Sequence, residues 1–333
     1  MHRYKLIFIY IATLSLLWSC VEVELYDNSP HGNFEAAWKM LDEKYCFFQY
    51  KGVDWDAVYD DYSERMYPEM GEQELFSHLN NMLRELKDGH VNLYSPFNTG
   101  GYNDWVQKYA SNFNRSLVEK YLGQNIQEDL GLQYKLLASG VGYVYCGNFV
   151  EFVGEKKLNQ MLLAFSSTKG LIIDVRDNGG GSISNSKILA SRFTEREVLI
   201  SYIQHKQGKG RNDFSKPYPI YLKPSSQIRY TKPVIVLTNR ACYSACNEFV
   251  TAMRELPHAT IMGSRTGGGS GLPATSELPN GWFVRYSASP ILAADKQQIE
   301  DGIEPDISVD LLDADIKKGK DSLIEAAIAL IQK

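Results

Sequence analysis

Three short apolar runs constrain this chain more than any other feature. VGYVYC (141–146), GLIIDV (170–175) and PVIVLT (233–238) are each too short for a typical helix, rich in Val and Ile, and almost free of polar alternation. A strand without a polar face must be covered on both sides, which is the pattern of parallel strands inside an α/β fold. A helix-like segment follows each run: EKKLNQMLLAFSS, SNSKILASRF and CYSACNEFVTAMREL. The alternation predicts an α/β core over residues 140–333 with at least partly parallel strands.

Upstream the periodicity is helical. FEAAWKMLDEKYCFF sets Phe34, Trp38, Leu41 and Tyr45 on one face, with Asn33 as the expected N-cap. VDWDAVYDDYSERM reads as a second helix, and EQELFSHLNNMLREL as a third, with Leu75, Leu79, Met82, Leu83 and Leu86 in its stripe. Lys87-Asp88-Gly89 stops that helix, and the chain is extended from His90. Residues 33–96 therefore read as a small N-terminal helical domain. The polar, Gly- and Asn-containing stretch after it makes 97–139 an expected linker or flap.

The first nineteen residues read as a signal peptide: Arg3 and Lys5, then an apolar run from Leu6 to Trp18 that is short for a membrane span. The run ends in LWSC, which resembles a bacterial lipobox with Cys20 as the lipidated residue, although Trp18 departs from the small residue usual there. Residues 20–32 then form a tether. The expected address is the cell envelope, on an outer-membrane or periplasm-facing lipoprotein held to the membrane by its lipid. Loss of residues 1–19 takes the basic count from 35 to 33, against 40 acidic residues. An acidic chain with no basic cluster is not built to bind nucleic acid through phosphates. Cys46, Cys146, Cys242 and Cys246 lack zinc-site spacing. Cys242 and Cys246, one helical turn apart, are expected to pack as small apolar residues.

Two turns could carry chemistry, each between a buried strand and a helix start. RDNGGGS (176–182) offers close-approaching backbone amides, but has neither P-loop nor dinucleotide spacing. RACYSACNEF (240–249) carries Ser244, which at a helix start is either a cap or a nucleophile. A nucleophilic serine needs a base, and His90 is the best placed of six histidines, at the junction behind Asp88-Gly89.

The ordered set LKDGHVNL, GYVYCGNF, GLIIDVRDNGGGS, PVIVLTNRACYSACNEF, GSRTGGGSG and IEDGIEPDI resembles the S41 peptidases, the C-terminal processing and tricorn-core serine proteases. The shared pieces cover about residues 33–96 and 140–310. The resemblance implies a ClpP/crotonase-like core, Ser244 as nucleophile, and an oxyanion hole formed by the amides of Gly180 (or a neighbour, Gly179 or Gly181) and Ala245. C-terminal processing members use a Ser-Lys dyad with lysine in the Gly-rich turn after the serine; here GSRTGGGSG has Gly269 there, and Arg265 cannot serve as a base. The tricorn-like branch uses a histidine, matched by His90, and a glutamate that orients it, matched by Glu300 with Glu304 as second choice. Asn247 stands where many relatives have glutamate, and the roughly fifty residues after His90 leave no room for a PDZ module.

The expected function is hydrolysis of peptide bonds, by a serine endopeptidase or carboxy-terminal-processing type of enzyme, through an acyl-enzyme on Ser244. It would act on peptide or unfolded protein without metal or organic cofactor. The alternative is a catalytically weak S41-like surface lipoprotein that binds peptides or glycans. A crotonase-like enzyme acting on thioesters would need an adenine and phosphate site, for which the chain offers no suitable basic or Gly-rich element.

Overall fold

The computed structural model describes residues 26–128 and 131–333. The expected signal segment and Cys20 lie outside the described residues. Strands are numbered in chain order: β1 Asn92–Tyr94, β2 Thr99–Gly101, β3 Leu132–Leu136, β4 Gly142–Cys146, β5 Leu171–Asp174, β6 Val198–Ile203, β7 Tyr218–Leu222, β8 Val234–Thr238, β9 Ala259–Gly263, β10 Gly271–Glu277, β11 Phe283–Ala293 and β12 Ile307–Ser308.

The three apolar runs are β4, β5 and β8, adjacent and parallel in a sheet of order β12-β9-β8-β5-β4-β3. Gly142 is level with Leu171, Leu171 with Val234, and Val234 with Ala259. Side chains alternate between two covered faces, as parallel strands require. Val144, Ile173, Val236 and Ile261 pack with Leu162, Phe249 and Met253 on one face. Tyr143, Ile172, Ile235 and Leu237 pack with Val118, Leu323 and Ala327 on the other. Each such aliphatic side chain contributes about 1.5–3 kcal/mol on full burial, so the register is strongly fixed.

The N-terminal helices run Pro30–Lys44, Phe48–Lys51, Trp55–Ser63 and Glu72–Arg84. The first starts earlier than expected: Ser29 is its N-cap, accepting from the Gly32 amide at 3.0 Å, and Pro30 takes the first helical position. Asn33 lies inside that helix, where its Oδ1 accepts from the Asn280 amide at 2.9 Å.

Two expected boundaries are less separate than the sequence suggests. The helix Arg115–Leu122 and β3, both within 97–139, are part of the core: Val118 and Leu122 lie under the parallel sheet, and β3 pairs antiparallel with β4. Their apolar signal is confined to a short helix and a five-residue strand between polar stretches. The helices of 33–96 likewise share one apolar cluster with Leu278, Trp282, Val284 and Tyr286. β1 joins the second sheet directly, pairing Leu93 with Val284. This second sheet, β2-β1-β11-β6-β7 with β10 against β11, ties the N-terminal helices to the core.

The shared cluster makes a prediction. Trp282→Ala is expected to cost about 3–5 kcal/mol in denaturant unfolding. Amide exchange should accelerate in the helices of 30–84 as well as in 271–293. Acceleration confined to 271–293 would show that the two regions do not share a core.

Candidate active site

β8 ends in a turn over 239–244, and the helix Ala245–Arg254 leaves it. Ser244, at the corner, has φ 57° and ψ −122°. A non-glycine residue at that φ is strained by about 1–3 kcal/mol and must be held by its surroundings. The Ser244 amide donates to the Gly268 carbonyl at 2.8 Å, and the Tyr243 amide to the Asn178 carbonyl at 3.2 Å. The Ser244 side chain makes no capping bond to the helix. Its Oγ instead lies 2.9 Å from His90 Nε2.

His90 is buried, in the loop between the helix Glu72–Arg84 and β1. Its imidazole pKa is lowered to about 4, chiefly by burial; the Asp88 charge opposes this and Arg285 and Lys51 add to it. The ring is therefore neutral near pH 7, and Nε2 can accept the Ser244 proton. Nδ1 has no hydrogen bond of ordinary geometry. The Gly271 backbone acts to raise the ring's pKa. Tyr243 lies T-shaped to the imidazole with ring centres 5.0 Å apart, and Trp105 stacks on Tyr243 with ring centres 4.0 Å apart.

The Gly-rich turn after β5 reaches the serine. Gly180, at φ +101°, sits so close that a Cβ there would lie 2.6 Å from the Tyr243 carbonyl and 3.0 Å from both Ser244 Cβ and the Ala245 nitrogen. The expected Gly180 donor is nevertheless taken: its N–H donates to Asn178 Oδ1 at 2.9 Å. The Ala245 amide, also expected in the hole, makes no backbone hydrogen bond among the described residues. The same holds for the amides of Gly179 and Gly181.

Glu300 is buried but not bonded to His90, which corrects the expected orienting contact. Its Oε1 pairs with Lys51 Nζ at 3.1 Å, and its Oε2 accepts from the Ser270 amide at 2.8 Å. Burial and the Asp88 carboxylate push its pKa up to about 8, against the opposing Lys51 charge. Glu304 is at the surface, paired with Arg265 at 3.4 Å. The position expected for a lysine is closed by sterics: a Cβ on Gly269 would lie 2.4 Å from Tyr243 Cζ. Asn247 gains a physical account. Its Oδ1 accepts from Thr266 Oγ1 at 2.6 Å, and Thr266 Oγ1 accepts from the Ile303 amide at 2.7 Å, so it ties the serine helix to the loops behind it.

Several residues around the site had no distinct sequence signal: Lys51, Tyr45, Ser270, Ser287 and Asn178. Asp88 did have one, since an Asp two residues before a loop residue commonly accepts its backbone N–H. Cys242 and Cys246 are free and buried, and Cys242 Sγ donates to the Val175 carbonyl at 3.1 Å. Among the described residues, no group of three or more His, Cys, Asp or Glu side chains is placed to hold a metal ion. A polar cavity of about 590 Å³ lies beside the site, lined among others by Lys51, Trp105, Arg240 and Asp301.

This arrangement can be set beside known proteins. The model of peptidase family S41 matches residues 140–309, and that of the tricorn protease C1 domain matches residues 26–84. The chain is 25% identical over 178 residues to the carboxy-terminal processing protease CtpA of Bacillus subtilis, covering 53% of this chain and 36% of that protein. It is 26% identical over 197 residues to the tricorn protease of Thermoplasma acidophilum, covering 58% of this chain and 17% of that protein. The matches thus span about a third or less of those relatives. A crystal structure of a provisionally assigned peptidase from Parabacteroides merdae superposes with a TM-score of 0.87 at 52% identity, covering 92% of this chain and 98% of that one. With the S41 model matching half of its length, this chain belongs to peptidase family S41.

Proposed function

We propose that the chain is a serine peptidase in which Ser244 Oγ attacks the carbonyl carbon of a peptide bond and His90 is the general base. The observation that carries this reading is the 2.9 Å contact between His90 Nε2 and Ser244 Oγ. As Oγ forms the new bond, its proton passes to Nε2, and the carbonyl π electrons move to the oxygen. Collapse of that intermediate breaks the C–N bond, and the proton on Nε2 leaves with the amine. Water then repeats the sequence on the acyl-enzyme and regenerates Ser244.

The oxyanion would be held by the Ala245 amide and an amide of the 179–181 turn, where the Gly179 and Gly181 N–H groups make no backbone hydrogen bond among the described residues. The burial of His90 supports a base rather than a resting imidazolium. Relatives named for processing and tricorn proteolysis support peptide or unfolded protein as substrate. Export on residues 1–19 with lipidation of Cys20 completes the proposal, on the sequence pattern alone.

A second reading has its own support. His90 Nδ1 makes no hydrogen bond of ordinary geometry among the described residues and the Gly180 amide is occupied, as in a catalytically weak relative that binds peptides or glycans. Fluorophosphonate labelling of the full chain separates the two. A labelled wild type with unlabelled Ser244→Ala and His90→Ala variants is expected; labelling that survives Ser244→Ala rejects the nucleophile.

The pH dependence follows from His90. With its pKa near 4, the imidazole is unprotonated and competent above that pH. The inactivation rate should hold down to about pH 5 and then fall about tenfold per unit below the His90 pKa. A limb near the ordinary histidine value would show that the ring is solvated rather than buried.

Gly180→Ala tests the contact between the turns. A methyl group there meets the Tyr243 carbonyl at 2.6 Å in a backbone conformation that alanine disfavours. The turn carrying the Gly179 and Gly181 amides would be displaced, and inactivation should slow by about 100-fold or more, the scale of one lost oxyanion donor. An unchanged rate would mean that the turn does not shape the site.

A further inference from the structure

Asp88 is a buried carboxylate two residues from the proposed base, and the roles above leave it unused. Its Oδ1 accepts the His90 backbone N–H at 2.8 Å. Its Oδ2 accepts from Tyr45 Oη at 3.0 Å and from Ser287 Oγ at 2.8 Å. Three donors converge on one buried side chain and fix its position. They come from three places: Tyr45 caps the helix Pro30–Lys44, Ser287 lies on β11, and His90 precedes β1. The Ser287 carbonyl in turn accepts from the Cys46 amide at 3.0 Å, which locks β11 to the same helix end.

We propose that Asp88 is the positioning residue of this site: its carboxylate, clamped by Tyr45 and Ser287, fixes the His90 backbone and supplies the negative charge that a protonated imidazole needs when Ser244 reacts. This rests on the Ser244–His90 reading above.

The charges around the imidazole support the assignment. Arg285 on β11 and Lys51 on the helix Phe48–Lys51 both disfavour a positive ring, as does burial. Tyr243 from the serine turn lies T-shaped to the imidazole, and the Gly271 backbone at the start of β10 acts in favour of charge. Glu300 spends its oxygens on Lys51 and Ser270. Asp88 is thus the carboxylate that favours charge on His90. The serine attack creates an imidazolium, so this through-space charge acts on the transition state more than on the resting enzyme.

Asp88→Asn separates charge from shape, because the amide oxygen can still accept from His90 while the Tyr45 and Ser287 hydroxyls rotate to accept from the new NH₂ group. The measurement is the second-order rate of fluorophosphonate inactivation of the full chain between pH 3.5 and 8, with thermal unfolding as a check on folding. We expect a fall of about 10- to 100-fold at pH 7, at a near-wild-type melting temperature, with the acid limb displaced to lower pH. A wild-type rate with an unmoved limb overturns the proposal.

If Asp88→Asn does not fold, Tyr45→Phe and Ser287→Ala decide. Each frees one side of the carboxylate and should slow inactivation by about two- to tenfold, the scale of one hydrogen bond. Wild-type rates in both overturn it. His90→Ala distinguishes the levels: an inert His90→Ala beside an unchanged Asp88→Asn removes Asp88 alone, whereas a reactive His90→Ala removes the base and this proposal together.

Discussion

Ser244 keeps a backbone conformation that an isolated chain would leave, and the site depends on what holds it there. The Gly268 carbonyl takes its amide, and Gly180 packs against its Cβ with no room for a side chain. Gly268 is as tightly placed, since a Cβ there would lie 1.7 Å from the Glu300 carbonyl. Three separate segments, 178–181, 240–245 and 266–271, are therefore packed backbone to backbone. The glycines permit that closeness, and the parallel register of β5 and β8 brings the first two turns to the same edge of the sheet.

The base arrives from the other part of the molecule. His90 leaves the helix Glu72–Arg84 and enters β1, which pairs with β11. The cluster of Phe34, Trp55, Leu79, Trp282 and Val284 cements that junction. Packing far from the serine thus sets the position of the imidazole, to the tolerance of a hydrogen bond. The same closeness shapes its electrostatics. Burial depresses the pKa of His90 and raises that of Glu300, so their protonation depends on the seam between the two regions staying closed.

Much of this was legible in the sequence. The apolar runs gave β4, β5 and β8, and the Leu75–Leu79–Met82–Leu83 stripe gave the helix that leads to His90. Residue type alone left Ser244 as cap or nucleophile and His90 as a candidate base; the resemblance to S41 peptidases made them partners, and the structure brings them together. The partners of the two carboxylates were not legible. Glu300 and Asp88 sit on either side of the same buried region, and only three-dimensional placement shows that Lys51 and Ser270 take one while His90, Tyr45 and Ser287 take the other. The oxyanion turn was legible as three glycines, but which amide is free depends on the Asn178 side chain, whose rotamer leaves no trace in sequence. The core role of residues 97–139 was hidden because the helix Arg115–Leu122 offers only two turns of periodicity.

The account's central claim concerns geometry in the reacting state, so a crystal structure of the chain with a phosphonate bound covalently through a serine is its most direct test. The account predicts phosphorus on Ser244 Oγ, its oxygen within hydrogen-bond distance of the Ala245 amide, and His90 Nε2 still facing Oγ, with Asp88 on the His90 backbone. Phosphorus on another residue, or an imidazole turned away from Ser244, would contradict it.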